Sequence, residues 1–224
     1  MFSDTMEDYL KAIYVLQTEG GPPVSTSEIA EYLEKTPPTV TSMVSSLAED
    51  GLIDHEKYNG VELTAEGETV ALEVIRHHRL LETYLTEQLD YDWHEVHDEA
   101  DALAHHISEE FERRVAEALD NPTVDPHGDP IPGVELDPIE GDDAVRLTEF
   151  ATGDHVVVSR VSDRDEEELT YLEAAGITPG TELELTDIAP FGMITVETAS
   201  GDEQSLPESV ARSIRVEPVD EAVA

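Results

Sequence analysis

Between residues 20 and 64, cap and turn signals follow one another so closely that only short elements fit between them. A first helix is predicted over 5–18, with Tyr9, Leu10, Ile13, Tyr14 and Leu16 apolar and Thr5 with Asp8 as a loose capping box. Gly20-Gly21-Pro22-Pro23 ends it. Ser25 followed by Glu28 is a second capping-box pattern, opening a short helix with Ile29, Ala30 and Leu33 inside. Thr36-Pro37-Pro38 opens a third, with Thr36 as N-cap and Pro37 at the first helical position, where its missing N–H costs nothing. Val40, Val44 and Leu47 form its buried stripe and Gly51 ends it. Leu52-Ile53 and Val61-Glu62-Leu63 then flank Asn59-Gly60, a strong hairpin signal. Three short helices and a hairpin make a winged helix-turn-helix.

The rest divides by periodicity. Thr64 caps a long helix to about residue 88, and a second is predicted from about 95 to 119, where Val96, Ala100, Leu103, Ile107, Phe111, Val115 and Leu119 recur at helical spacing. With Val70, Val74, Leu81 and Leu85, this stripe exceeds what a small winged helix needs. Packing against a second subunit is therefore expected, with an intramolecular helix pair as the alternative. Residues 120–143 read as an irregular connection rich in Pro, Gly and Asp. Beyond them, residues 155–158, 182–185 and 193–196 read as short strands, interrupted by a helix near Glu166–Ala174. The fold class is mainly α with a β module. Its expected divisions are a winged helix at 1–74, a helical domain at 75–143, and a small β-barrel at 144–220.

Twelve Lys plus Arg face 53 Asp plus Glu, a formal net charge of −41. A disordered acidic chain would lack the hydrophobic periodicity seen throughout. The composition fits a folded protein adapted to a high-salt cytoplasm, where the screening length falls to about 3 Å at 1 M salt. It also weakens the usual test for DNA binding, a basic patch, because residues 1–75 hold only Lys11, Lys35 and Lys57 as Lys or Arg. There is no cysteine, which excludes disulfides, thiolate metal sites and a cysteine nucleophile. The absence of a long apolar run and of a signal-peptide pattern leads to the expectation of a cytoplasmic protein with no membrane partner.

Two sets of side chains carry candidate chemistry. On the third helix Thr36, Pro38, Thr39, Thr41, Ser42 and Ser45 form a small polar face suited to phosphates, base edges and thymine methyls. Lys35 and, on the wing, Lys57 with Tyr58 and Asn59 are the expected backbone contacts. With no Arg on that helix, guanine readout by a bidentate pair is not expected, and shape should contribute. The second set is histidine: six of the nine fall between residues 77 and 106, among carboxylates at helical spacing. His78 and Glu82 share one helix face, as do His97, Asp101 and His105. Imidazole and carboxylate together make a divalent transition-metal site.

With these pieces in order, the chain resembles the diphtheria toxin repressor family of metal-dependent regulators, in a haloarchaeal-type version. The matching stretches are "MEDYLKAIYVL", "IAEYLEKTPPTVTSMVSSLAEDGLI", "LTAEGETVALEVIRHHRLLETYL", "VHDEADALAHHIS" and "DPHGDPIPG", with "LTYLEAAGITPGTELEL" similar to the family's SH3-like domain. The resemblance implies a homodimeric repressor of metal-uptake genes that binds a palindromic operator when loaded with Mn²⁺ or Fe²⁺. It implies a primary metal site at Asp8, Asp101 and His105, and an ancillary one at His78, Glu82 and His97, completed by Asp165 and Glu168. An oxygen donor at Asp8 and the lack of cysteine favour Mn²⁺ over Fe²⁺. Two positions depart from the pattern. Ala104 stands where the family carries a glutamate ligand, and Lys11 where the manganese-sensing branch has glutamate. They open a second reading, a winged-helix regulator whose metal control is weakened or lost. A metallohydrolase is a third, with no HExxH or nucleophile arrangement to support it. His77 and His106 are expected to neighbour ligands, and His94, His127 and His155 to be structural or exposed.

Overall fold

The computed structural model describes residues 2–56, 59–139, 144–190 and 192–219. The chain forms two compact units. The first comprises Met1–Leu81, Asp101–Thr123 and Ile131–Gly141; the second comprises Glu82–Ala100, Val124–Pro130 and Asp142–Ala224.

The first unit begins with α1 (Asp4–Gly20), α2 (Thr26–Tyr32) and α3 (Pro37–Glu49), followed by the hairpin β1 (Ile53–Glu56) and β2 (Gly60–Leu63). The α1 cap is Ser3, whose side chain accepts from the Met6 N–H, rather than Thr5. The Ser25–Glu28 capping box is complete, and Thr36 precedes α3 as expected, with proline in its first turn. Tyr9, Leu10 and Ile13 of α1 pack with Ile29, with Val40, Val44 and Leu47 of α3, and with Leu52, Val61 and Leu72. That core holds the outer face of α3 toward solvent. Gly60 opens β2 opposite Glu56 instead of sitting in a two-residue turn. Its φ is +122°, and a Cβ there would lie 2.5 Å from the Val24 carbonyl oxygen. Val24 and Val61 exchange backbone hydrogen bonds of 2.9 and 2.8 Å, so the wing is tied to the segment leading into α2.

Helix α4 (Ala65–Leu89) runs as the sequence suggests. The second long helix does not. It is divided into α5 (Val96–Ala104) and α6 (Glu109–Ala118). Ser108 restarts the chain as N-cap, accepting from the Phe111 N–H. Apolar periodicity alone does not detect such a break, because the stripe continues in register across it.

The second unit contains a six-stranded antiparallel sheet in the order β3-β8-β4-β5-β6-β7. Its strands are β3 (Val145–Arg146), β4 (His155–Val161), β5 (Glu182–Ile188), β6 (Met193–Thr198), β7 (Glu203–Pro207) and β8 (Ile214–Pro218), with α7 (Glu166–Ala174) and α8 (Glu208–Ser213) between them. Inward residues alternate along each strand, as in Val156, Val158 and Val161 or Leu183 and Leu185, and with Leu169 and Leu172 of α7 they form one core. This is the expected small β module. β3, β7, β8 and α8 are additions to the sequence reading.

Candidate metal centre and nucleic-acid interface

In the second unit, Glu82 of α4 is fully buried, an unusual position for a carboxylate. His97 on α5 places Nδ1 3.4 Å from Glu82 Oε1 and 3.0 Å from Asp163 Oδ2. His127 Nδ1 lies 3.8 Å from the same Glu82 oxygen. Glu82 thus belongs to two donor groups, one with His97 and Asp163 and one with Asp125 and His127, each with ligand atoms within 4.8 Å of one another.

The loop that brings in Asp125 and His127 is rigidly made. Asp125 Oδ1 accepts from the backbone N–H groups of His127 (2.9 Å) and Asp129 (3.0 Å), a side-chain-closed turn. The His127 carbonyl accepts from the Val161 N–H at 2.9 Å, anchoring the loop to β4. Gly128, with φ +90°, approaches β4 so closely that a Cβ would stand 2.1 Å from the Ser159 oxygen. His127 Nε2 donates to the Trp93 carbonyl at 2.8 Å. That bond fixes the ring and leaves Nδ1 directed at the cluster. A neutral His127 therefore presents a lone pair there, beside a buried carboxylate. A buried carboxylate is costly unless positive charge stands beside it, and a divalent cation held by carboxylates and imidazoles is one source of that charge. The donor set fits one.

Of the expected ancillary residues, His78 stands on α4 one turn before Glu82. Asp165 and Glu168 are placed elsewhere. Asp165 caps α7, accepting from the Glu167 and Glu168 N–H groups, and Glu168 is raised by burial against a hydrogen bond with Ser213. It is Asp163 that meets His97. Asp125 and His127 were not among the expected ligands, although "DPHGDPIPG" contains both. His94 pairs with Glu173 at 3.1 Å near the surface, and His155 is exposed.

In the first unit the expected primary residues form two separate contacts. His105 is held between Glu7, 2.7 Å from Nδ1, and Asp8, 3.0 Å from Nε2. Asp101 Oδ1 takes Lys11 Nζ at 2.8 Å and His78 Nδ1 at 2.9 Å. Burial by itself would raise the Asp101 carboxyl, but the His78 hydrogen bond and the Lys11 ammonium hold it well below the usual carboxylate range. Burial raises Asp8, against the opposing pull of His105. Ala104 is buried and offers only its carbonyl, 3.1 Å from His77 Nδ1. Among the described residues, no donor group within 4.8 Å unites Asp8, Asp101 and His105. His106 is exposed, 4.0 Å from Asp4.

On α3, Pro38, Thr39, Thr41, Ser42 and Ser45 are exposed, with Lys35 and Thr36 just before them. The Thr36 and Thr39 hydroxyls lie 2.9 Å apart, Thr41 donates to the Pro37 carbonyl, and Ser45 donates to the Thr41 carbonyl. These bonds occupy the hydroxyl protons of Thr41 and Ser45, whose oxygens can still accept. Asn59 on the wing donates to Glu56 at 2.8 Å. Lys57 and Tyr58 lie outside the described residues.

Fold and site together define a winged-helix protein with a buried carboxylate–imidazole centre. Residues 1–61 match the iron dependent repressor N-terminal DNA binding domain, residues 64–133 the iron dependent repressor metal binding and dimerisation domain, and residues 145–218 the FeoA domain. The chain is 39% identical to the iron-dependent repressor IdeR of Mycobacterium tuberculosis over 96% of its length and 98% of that protein. It is 34% identical to the diphtheria toxin repressor of Corynebacterium diphtheriae, over 96% and 97%. A solved manganese-dependent transcriptional repressor in complex with manganese superposes with a TM-score of 0.89 at 38% identity, over 96% of this chain and 100% of that one. ScaR with bound Zn²⁺ gives 0.82 at 32%, over 96% and 99%. The chain belongs to the iron-dependent repressor family, whose members are transcriptional repressors with a DNA-binding domain and a metal-binding and dimerisation domain. No helix among the described residues is long and apolar enough to cross a membrane.

Proposed function

We propose that this chain is a cytoplasmic, metal-activated repressor that binds a palindromic operator as a homodimer and controls metal-uptake genes. Its working metal centre is the buried cluster around Glu82. The observation that carries this reading is the full burial of Glu82 between two imidazoles, with Asp125 and Asp163 brought in by separate loops. Glu82, His97, Asp125, His127 and Asp163 would hold the ion, with His78 one helical turn before Glu82 as a further donor. Oxygen and imidazole donors without sulfur suit Mn²⁺ or Fe²⁺. A bound ion supplies positive charge to the buried carboxylates. The protein's own part is to orient the donors: Trp93 fixes His127, and β4 fixes its loop. The domain division proposed is 1–74, 75–143 and 144–220. On DNA, α3 would enter the major groove with Thr36, Pro38, Thr39, Thr41, Ser42 and Ser45 facing bases, while Lys35 and the wing meet phosphates.

The test is operator binding by the full chain at molar KCl. The probe is a duplex selected by the protein from a random pool in Mn²⁺, followed by fluorescence anisotropy with Mn²⁺, with anaerobic Fe²⁺ and with EDTA. Binding that requires metal and is lost in Glu82→Gln supports the reading. Equal binding in EDTA would instead favour a regulator without metal control, which the Lys11–Asp101 pair and Ala104 motivate.

A further inference from the structure

We propose that Lys11 is the resident cation of the cluster between α1 and α5, holding the two helices together so that no metal ion is needed there. The inference goes beyond the metal centre of the second unit and does not depend on it.

The donors of this cluster are already committed. Both ring nitrogens of His105 face carboxylate oxygens at hydrogen-bond distance, Glu7 on one side and Asp8 on the other. Asp101 Oδ1 receives both the Lys11 ammonium and His78. The remaining expected position, Ala104, has no donor side chain. Lys11 acts electrostatically on Asp8 as well as on Asp101, so one ammonium serves carboxylates from both helices. A divalent ion entering here would have to displace that ammonium or meet its charge at close range. The residues present do not fit a metal; they fit a partly exposed ion pair. Lys11 and Asp101 are 90 residues apart in sequence, so the pair joins α1, which packs on α2 and α3, to the helix that follows α4.

The experiment compares wild type with Lys11→Met, Lys11→Arg and Lys11→Glu, each checked for folding by circular dichroism at molar KCl. Amide hydrogen exchange is followed over residues 4–20 in EDTA, and bound Mn²⁺ is counted by elemental analysis after gel filtration. Lys11→Met should exchange about fivefold faster in α1, the change expected from losing one partly buried ion pair, while Lys11→Arg keeps the wild-type rate. Lys11→Glu replaces the cation with a ligand beside Asp8 and Asp101. It should bind one Mn²⁺ more per chain than wild type and recover α1 protection only when Mn²⁺ is present. Unchanged α1 exchange in Lys11→Met, or no additional Mn²⁺ in Lys11→Glu, would overturn the proposal. Trp93 emission reports the second unit separately, so a failure of the Glu82 centre is visible as loss of that response, whatever α1 does.

Discussion

Replacing Glu82 by Gln keeps the side-chain shape but removes its charge, and the consequences differ with and without metal. Glu82 is wholly buried and common to both donor groups. In EDTA, Gln removes a desolvated carboxylate facing imidazoles, so stability should be unchanged or slightly higher. With Mn²⁺ at a hundred times its dissociation constant, the wild type should gain about 2.7 kcal/mol of linkage stabilisation. For a chain of this size that is a rise in Tm of about 5–10 °C. Groups that merely support a ligand change metal affinity by about 10–100-fold, and a shared ligand should reach at least the upper figure. The same Mn²⁺ would then sit near the variant's dissociation constant and contribute about 0.4 kcal/mol, or about 1 °C. Thermal melts at molar KCl with and without Mn²⁺, followed by Trp93 emission and by circular dichroism, read both arms. A variant that keeps the full Mn²⁺ shift refutes the Glu82 centre. One that melts far below wild type in EDTA shows that Glu82 has a structural role in the metal-free chain.

Further expectations follow from the same geometry. His127→Phe removes both a donor and the hydrogen bond to the Trp93 carbonyl, so Mn²⁺ affinity should fall by about 10–100-fold with a shift in Trp93 emission; isothermal titration measures it. Gly67→Ala would set a Cβ 2.0 Å from the Leu52 oxygen, and denaturant unfolding should show a loss of about 1–3 kcal/mol. Two lysines per chain, Lys35 and Lys57, are expected at phosphates, which gives a dimer a log–log salt slope no steeper than about −4, and flat or reversed if cations bridge acidic side chains to phosphates. A steep fall in operator affinity between low and molar KCl would refute that. The Ser25 hydrogen bonds hold Glu28 below its usual 4.5, so the box helps α2 above that pH and fades on acidification. Hydrogen exchange in α2 should therefore quicken below about pH 4.5, and Glu28→Gln should abolish the dependence.

The winged helix was legible because its information is local. Ser25 and Glu28, Thr36 and Pro37, and the 3.6-residue stripe through Val40, Val44 and Leu47 each act within a few residues of themselves, and each appears where expected. The α5–α6 break was not legible, since Ser108 caps a restart without disturbing the apolar period. Nor was Gly60 as a close-approach residue, because its neighbour Val24 is remote in sequence.

The site divides along the same line. Sequence alone supplied the residue types, the departures at Lys11 and Ala104, and the helical partners His78, Glu82 and His97. A helix fixes which side chains share a face, and that can be read from spacing. Which loop residues arrive opposite that face depends on how β4 and the 124–130 loop pack. Only the tertiary structure could place Asp163 rather than Asp165 or Glu168 at His97, and bring His127 from its apparent structural role to Glu82. It also gave Lys11 its partner: spacing along α1 says nothing of Asp101, and the ion pair exists only because the two helices meet.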